Sequence, residues 1–129
     1  MPRLLHFTDM HLRHHQPGTA TNPKRLSRSM LATLERLEVE VRDLEPDVVV
    51  MTGDLLDIPD EVIFGGSPDG RSNAQWLVEA AADFQLVKDW FDGIGVPYLV
   101  IPGNHDHEAT FKQVFGDTKG PRDEAGFRF

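Results

Sequence analysis

The stretch Asp47-Val48-Val49-Val50-Met51-Thr52-Gly53-Asp54-Leu55-Leu56-Asp57 decides the fold. Val48 to Thr52 is apolar or β-branched on both sides of the pleat, the pattern of a parallel strand buried on both faces. Gly53 then lets the backbone turn sharply, and two carboxylates follow at once. Upstream, Leu26, Met30, Leu34, Leu37, Val41 and Leu44 recur at spacings of four, four, three, four and three, one apolar stripe of a helix. That helix is expected to start after Asn22-Pro23, with Asn as cap and Pro at the first position, and to end at Glu45-Pro46. An earlier strand is expected over Arg3–Thr8. Downstream, Ile58–Asn73 carries two prolines and three glycines and reads as a loop, either a lid or a tolerated insertion. A second helix places Leu77, Ala80, Ala81, Phe84, Val87 and Phe91 toward the sheet and stops near Gly93-Ile94-Gly95. A third strand, Val96–Ile101, is broken by Pro102-Gly103, and a short helix is expected over Glu108–Phe115. The tail Gly116–Phe129, rich in Gly, Pro and charge, reads as either loosely ordered or cut short. Strand, helix, strand, helix, strand argues an α/β fold with a parallel sheet.

Right-handed crossovers put the carboxyl ends of all such strands on one edge, where ligand sites of open α/β sheets gather. After the first strand comes Asp9-Met10-His11, after the second Gly53-Asp54 through Asp57, and after the third Gly103-Asn104-His105-Asp106-His107. Each strand therefore ends in oxygen or imidazole donors. Strands about 4.8 Å apart bring these donors within a few ångströms, the scale of ion pairs held roughly 3.5–4 Å apart. Carboxylate, amide oxygen and neutral imidazole suit Mn, Fe or Zn. On an extended segment Asp9 and His11 would face one side and grip one ion, while Asp54 has two oxygens and can bridge two.

Simpler readings exist for each residue. Asp and Asn also serve turns and helix caps, but three such sets in order, two behind a glycine, exceed that explanation. His14-His15 read as solvated loop residues, and His6 as a core or interface histidine. His107 is balanced between a supporting place and the surface. Lys24, Arg25 and Arg28 read as the solvated face of the first helix, and Trp76, Trp90 and Phe91 as helical core or an uncovered interface. No Gly-x-Ser-x-Gly elbow, phosphate-binding Gly-x-x-x-x-Gly-Lys loop or dinucleotide fingerprint is present.

Taken together, Asp9-Met10-His11, Gly53-Asp54-Leu55-Leu56-Asp57 and Gly103-Asn104-His105-Asp106 resemble the calcineurin-like metallophosphoesterases, from about Arg3 to Asp106. Leu4–Asp9 and Val96–Pro102 look most like the bacterial cyclic-nucleotide and glycerophosphodiester phosphodiesterase branch. The resemblance implies two divalent metal ions (Mn, Fe or Zn), with Asp9 and His11 on the first, Asp54 bridging both and Asn104 on the second. It implies His105 as the group that approaches the phosphate and leaving oxygen, and a bridging hydroxide as nucleophile. Asp57, Asp106 and His107 are candidates for supporting positions behind these ligands. The family pattern continues with a lone His and a Gly-His-x-His pair, whereas Lys112 to Phe129 contains no His. By that pattern the first metal lacks one His and the second two, with His107 and Glu108 as possible substitutes. The expectation is a layered sandwich of which this chain supplies a parallel βαβαβ half, the carboxyl-terminal half lying elsewhere. The expected function is a metal-dependent phosphoester hydrolase, a phosphodiesterase rather than a monoesterase, with a small phosphodiester or phosphomonoester as substrate. Alternatives are an inactive or complementation-dependent half-domain that binds metal or a partner chain, and the nuclease branch of the same family.

Composition is compatible with this. A chain of 129 residues, 40% hydrophobic and 26% charged, reads as one soluble domain with its own core. It has no cysteine, which excludes disulfides and thiolate metal sites. Its net charge of −8 argues against a broad nucleic-acid face. There is no apolar run of membrane-spanning length, and the start does not read as a signal peptide, so a cytoplasmic location is expected.

Overall fold

Val48–Thr52 forms β2, the middle strand of a three-stranded parallel sheet flanked by β1 (Leu4–Phe7) and β3 (Tyr98–Ile101). The computed structural model describes residues 2–18 and 24–116, and the backbone of 123–124 and 127–128. Register is continuous: Leu4 pairs with Val48 and Phe7 with Met51, while Val49 pairs with Tyr98 and Thr52 with Ile101. Val48, Val49, Val50 and Met51 are all buried, as a strand covered on both faces requires.

The helices are α1 (Met30–Leu44), a short α2 (Asp60–Ile63), α3 (Asn73–Gly93) and α4 (Glu108–Phe115). A 3₁₀ turn, Ser27–Ser29, leads into α1, and two antiparallel strands, β4 (Asp123–Glu124) and β5 (Phe127–Arg128), close the order. The indole N–H of Trp90 on α3 donates to the Leu34 carbonyl on α1 at 2.9 Å, so the two crossover helices lie side by side. The main core gathers Val49, Met51 and Val100 from the sheet with Leu34, Phe84, Phe91 and Phe111 from the helices. Val48, Val50 and Leu99 form a separate cluster on the other side of the pleat. None of the described helices is long and apolar enough to cross a membrane.

The structure corrects several expectations. The proposed Asn22-Pro23 cap lies outside the described residues, and α1 begins at Met30. Leu26 fits the stripe by spacing but precedes the helix and is 66% exposed. The segment 58–73 is not all loop, since α2 occupies its start. His6 is exposed on an edge strand, its Nε2 2.6 Å from Thr52 Oγ1, and is no core residue. Arg25 and Arg28 are not a solvated helical face. Arg25 reaches Asp57 at 3.0 Å, and Arg28 donates to the carbonyls of His14, Gln16 and Gly18.

Helix α3 starts with a capping box in which Ser72 and Gln75 satisfy each other's backbone N–H. Its buried stripe includes a carboxylate, Asp83, which is wholly inaccessible. Asp83 accepts the backbone N–H groups of His14 (3.1 Å), His15 (2.6 Å) and Gln16 (3.2 Å), together with Gln16 Nε2 at 3.2 Å. A buried charge is tolerated because its lone pairs are filled. Removing it orphans a row of donors, so Asp83→Ala is expected to lose about 3 kcal/mol. The urea midpoint checks this, with Asp89→Ala on the exposed side of the same helix as the control that stays near wild type.

Candidate metal centre

The three strand ends continue past the sheet as a ladder of loop hydrogen bonds. Asp9 N donates to Gly53 O (3.2 Å), His11 N to Asp54 O (3.0 Å), Leu12 N to Leu55 O (2.9 Å) and Gly53 N to Ile101 O (2.9 Å). The segment after β1 is not extended as the spacing suggested. Asp9 (φ 58°) and His11 (φ 50°) are left-handed, and so is Asp54 (φ 52°) after Gly53 (φ 84°). Such backbone costs roughly 1–3 kcal/mol per non-glycine residue and persists only where surroundings impose it. Here the ladder imposes it, and Met10 between the two donors is buried in the core.

Asp9, His11 and Asp54 come together, each offering one donor atom, all within 4.8 Å of one another. His11 Nε2 is 3.8 Å from Asp9 Oδ1, while its Nδ1 is buried and has no hydrogen-bond partner among the described residues. Burial lowers the His11 pKa below the usual histidine value, and the Arg25 charge adds to this. Both effects favour the neutral form that ligates metals. The end of the Asn104 side chain sits 3.1 and 3.3 Å from the two Asp54 oxygens. With its nitrogen inward it donates two hydrogen bonds, and with its oxygen inward it adds a donor for a cation. Two carboxylates, a neutral imidazole and this amide suit a hard or borderline divalent cation. The residues present thus fit one divalent ion.

His105 lies on the same edge, its backbone N–H donating to Asp54 Oδ1 at 2.9 Å. Its ring stands edge-on to His11, centroids 5.4 Å apart. Sequence reasoning missed Asp60, at the start of α2, whose Oδ1 lies 3.9 Å from His105 Nδ1. No spacing rule marks a residue that arrives through a separate helix.

The three supporting candidates take different places. Asp106 is buried and accepts backbone N–H groups from Leu55 (3.0 Å), Leu56 (2.9 Å) and Gly103 (2.9 Å), binding the loop after β2 to that after β3. Burial pushes its pKa up to about 6, against those three donors, and the Asp54 charge adds to the rise. Asp57 is buried between Arg13 Nε (2.9 Å) and Arg25 (3.0 Å). His107 caps α4, its Nδ1 accepting the Thr110 N–H at 3.3 Å, and is not in the converging donor group.

Comparison with known proteins follows this geometry. A family model described as calcineurin-like phosphoesterase matches residues 2–128. Comparison with curated proteins finds no match. The chain belongs to the calcineurin-like phosphoesterases, hydrolases of phosphoester bonds that typically depend on two metal ions.

The loops after β2 and β3 meet glycine to glycine. A Cβ on Gly103 would fall onto the backbone nitrogen and Oδ1 of Asp54 and 2.9 Å from Gly53 Cα. Gly103→Ala is therefore expected to lower stability by about 1–3 kcal/mol. Gly70→Ala, where a Cβ meets nothing within 4 Å, serves as control. Thermal unfolding of both variants checks the difference.

Proposed function

We propose that this calcineurin-like phosphoesterase binds divalent metal through Asp9, His11, Asp54 and Asn104, and that its reaction is the hydrolysis of small organic phosphodiesters. The observation that carries the reading is the convergence of Asp9, His11 and Asp54 at the carboxyl edge of the sheet. The loop bearing Asn104 and His105 packs against the same carboxylate. A bound divalent cation supplies Lewis-acid polarisation of a phosphoryl oxygen and lowers the pKa of water. The donor set favours Mn, Fe or Zn. Asp9 and His11 would hold one ion and Asp54, with two oxygens, would be shared with a second that Asn104 completes.

His105 has the role of holding a proton near the leaving oxygen. Its side chain is 25% exposed, open enough to meet a substrate yet held by its backbone bond to Asp54. Asp106 and Asp57 act through position, the first fixing the Asp54 and His105 loops together, the second drawing Arg13 and Arg25 to the loop behind His11. Preference for a diester rests on the likeness of Leu4–Asp9 and Val96–Pro102 to the phosphodiesterase branch. The net charge of −8 disfavours a nucleic-acid strand as substrate.

One observation favours a second reading, in which a further polypeptide segment completes the second ion's shell. Lys112 to Phe129 contains no His, and among the described strands β1 and β3 both stand at open edges of the sheet, where strands recruit partners.

Hydrolysis of bis(p-nitrophenyl) phosphate during manganese titration tests both. The expected result is metal-dependent turnover that Asp54→Asn and His105→Ala each reduce by roughly 10²-fold or more, with circular dichroism unchanged. Turnover indifferent to both substitutions would overturn the assignment. About one bound ion per chain without turnover would favour the complementation reading, because the shared carboxylate site needs two.

A further inference from the structure

One buried carboxylate holds two guanidinium groups. Asp57, whose side chain is 5% exposed, accepts Arg13 Nε on Oδ2 at 2.9 Å and Arg25 Nη1 on Oδ1 at 3.0 Å. A single negative charge so placed offsets one of the two cations and leaves the other.

The two arginines are not equivalent. Arg13 is buried, and its donors are occupied by the Asp57 carbonyl at 2.8 Å, the Asp57 carboxylate and the Pro17 carbonyl at 3.0 Å. The Arg25 side chain is 28% exposed, and Asp57 is its only hydrogen-bond partner among the described residues. A guanidinium carries five N–H donors in a fixed plane, so Arg25 keeps donors beyond its bond to Asp57.

The place of this second cation is fixed by the backbone. Asp57 is fastened to the segment that carries His11, its N–H donating to the Leu12 carbonyl at 3.2 Å. Arg25 is thereby held beside the candidate centre, near enough for its charge to act on the His11 ring. Exposed acidic groups also occur along this edge, among them Asp60 and Glu61. Neither lies within ion-pair distance of Arg25 among the described residues, and water and salt screen charges at such exposed positions. A guanidinium already locked onto one carboxylate loses little further freedom when it takes a second oxyanion. Arg13 stays on Asp57 meanwhile, so the buried carboxylate is never left unpaired.

We infer that Arg25 is an oxyanion-binding residue beside the metal ligands, and that the group it takes is a non-bridging oxygen of the substrate's phosphoryl group. The phosphoryl assignment rests on the hydrolase reading above, whereas affinity for a tetrahedral oxyanion does not.

Phenylglyoxal labelling of individual arginines, read by peptide mass spectrometry in sulfate and in chloride at equal ionic strength, tests the site with and without manganese. Sulfate is a tetrahedral oxyanion with no ester bond to break. Arg25 is expected to label at least roughly threefold more slowly in sulfate in one or both metal states. Arg36 and Arg42, exposed on α1, are expected to label equally in both salts. No protection of Arg25 in either metal state, or equal protection of Arg36 and Arg42, would overturn the site. In turnover of bis(p-nitrophenyl) phosphate, Arg25→Gln is expected to lower kcat/KM at least roughly tenfold and to raise the sulfate inhibition constant at least roughly threefold. Arg25→Lys, which keeps the charge and loses the planar fork, is expected to recover part of both. Asp57 retains Arg13 in these variants, so circular dichroism is expected to stay unchanged. An unchanged sulfate constant in Arg25→Gln would mean that Arg25 acts only through Asp57 and would overturn the inference. Protection of Arg25 in a wild-type chain without turnover separates the two readings: the oxyanion site stands, and the phosphoryl assignment falls with the hydrolase reading.

Discussion

One buried carboxylate organises the carboxyl edge of the sheet. Asp106 reaches back from the loop after β3 and takes two consecutive N–H groups, of Leu55 and Leu56, from the loop after β2. It also takes the N–H of Gly103 in its own loop. These donors have no strand partner once the sheet has ended, and leaving them dry would be unfavourable. The bond set draws the loops so close that Gly53 and Gly103 touch: Gly103 has no room for a side chain, and Gly53 is held at a positive φ of 84°. Asp54, Asn104 and His105 inherit their mutual placement from that contact. A residue outside the converging donor group thus sets the spacing within it.

Beyond Leu12, where its ladder to the β2 loop ends, the segment after β1 is held differently, through arginines. Asp57, five residues beyond the end of β2, collects Arg13 and Arg25. Arg28 fills carbonyls of the 14–18 loop while Asp83 fills its amides. Each guanidinium offers several donors in a fixed plane, and a loop without ladder hydrogen bonds needs such multivalent partners. The result is an irregular segment whose polar backbone is satisfied almost as fully as a strand.

Much of this was readable from the chain. Val48–Thr52 announced a central strand, the spacing of Leu34, Leu37 and Val41 a helix, and the three polar clusters a common edge. Those signals are local and periodic, so they survive without coordinates. The partners of Asp57 were not readable, because Arg13 and Arg25 lie 44 and 32 residues away and look like ordinary surface cations. Leu26 was misplaced because spacing extends a stripe without showing where hydrogen bonding starts. The left-handed backbone at His11 had only a weak signal, since histidine enters that region more often than most side chains but far less readily than glycine. Asp83 left a trace that went unread: a charge on the stripe Ala80–Phe84–Val87 must be satisfied by something folding over it.

The left-handed residues at Asp9, His11 and Asp54 are fixed by backbone bonds to β2 and its loop, none of which passes through a cation. The backbone geometry of the candidate centre is therefore set by the polypeptide's own hydrogen bonds. Small zinc-binding domains behave oppositely, folding only when metal supplies the missing free energy. For a metal bound as proposed, chelation would empty the cradle and leave its shape standing, and different divalent cations could exchange through it without the protein refolding around each one.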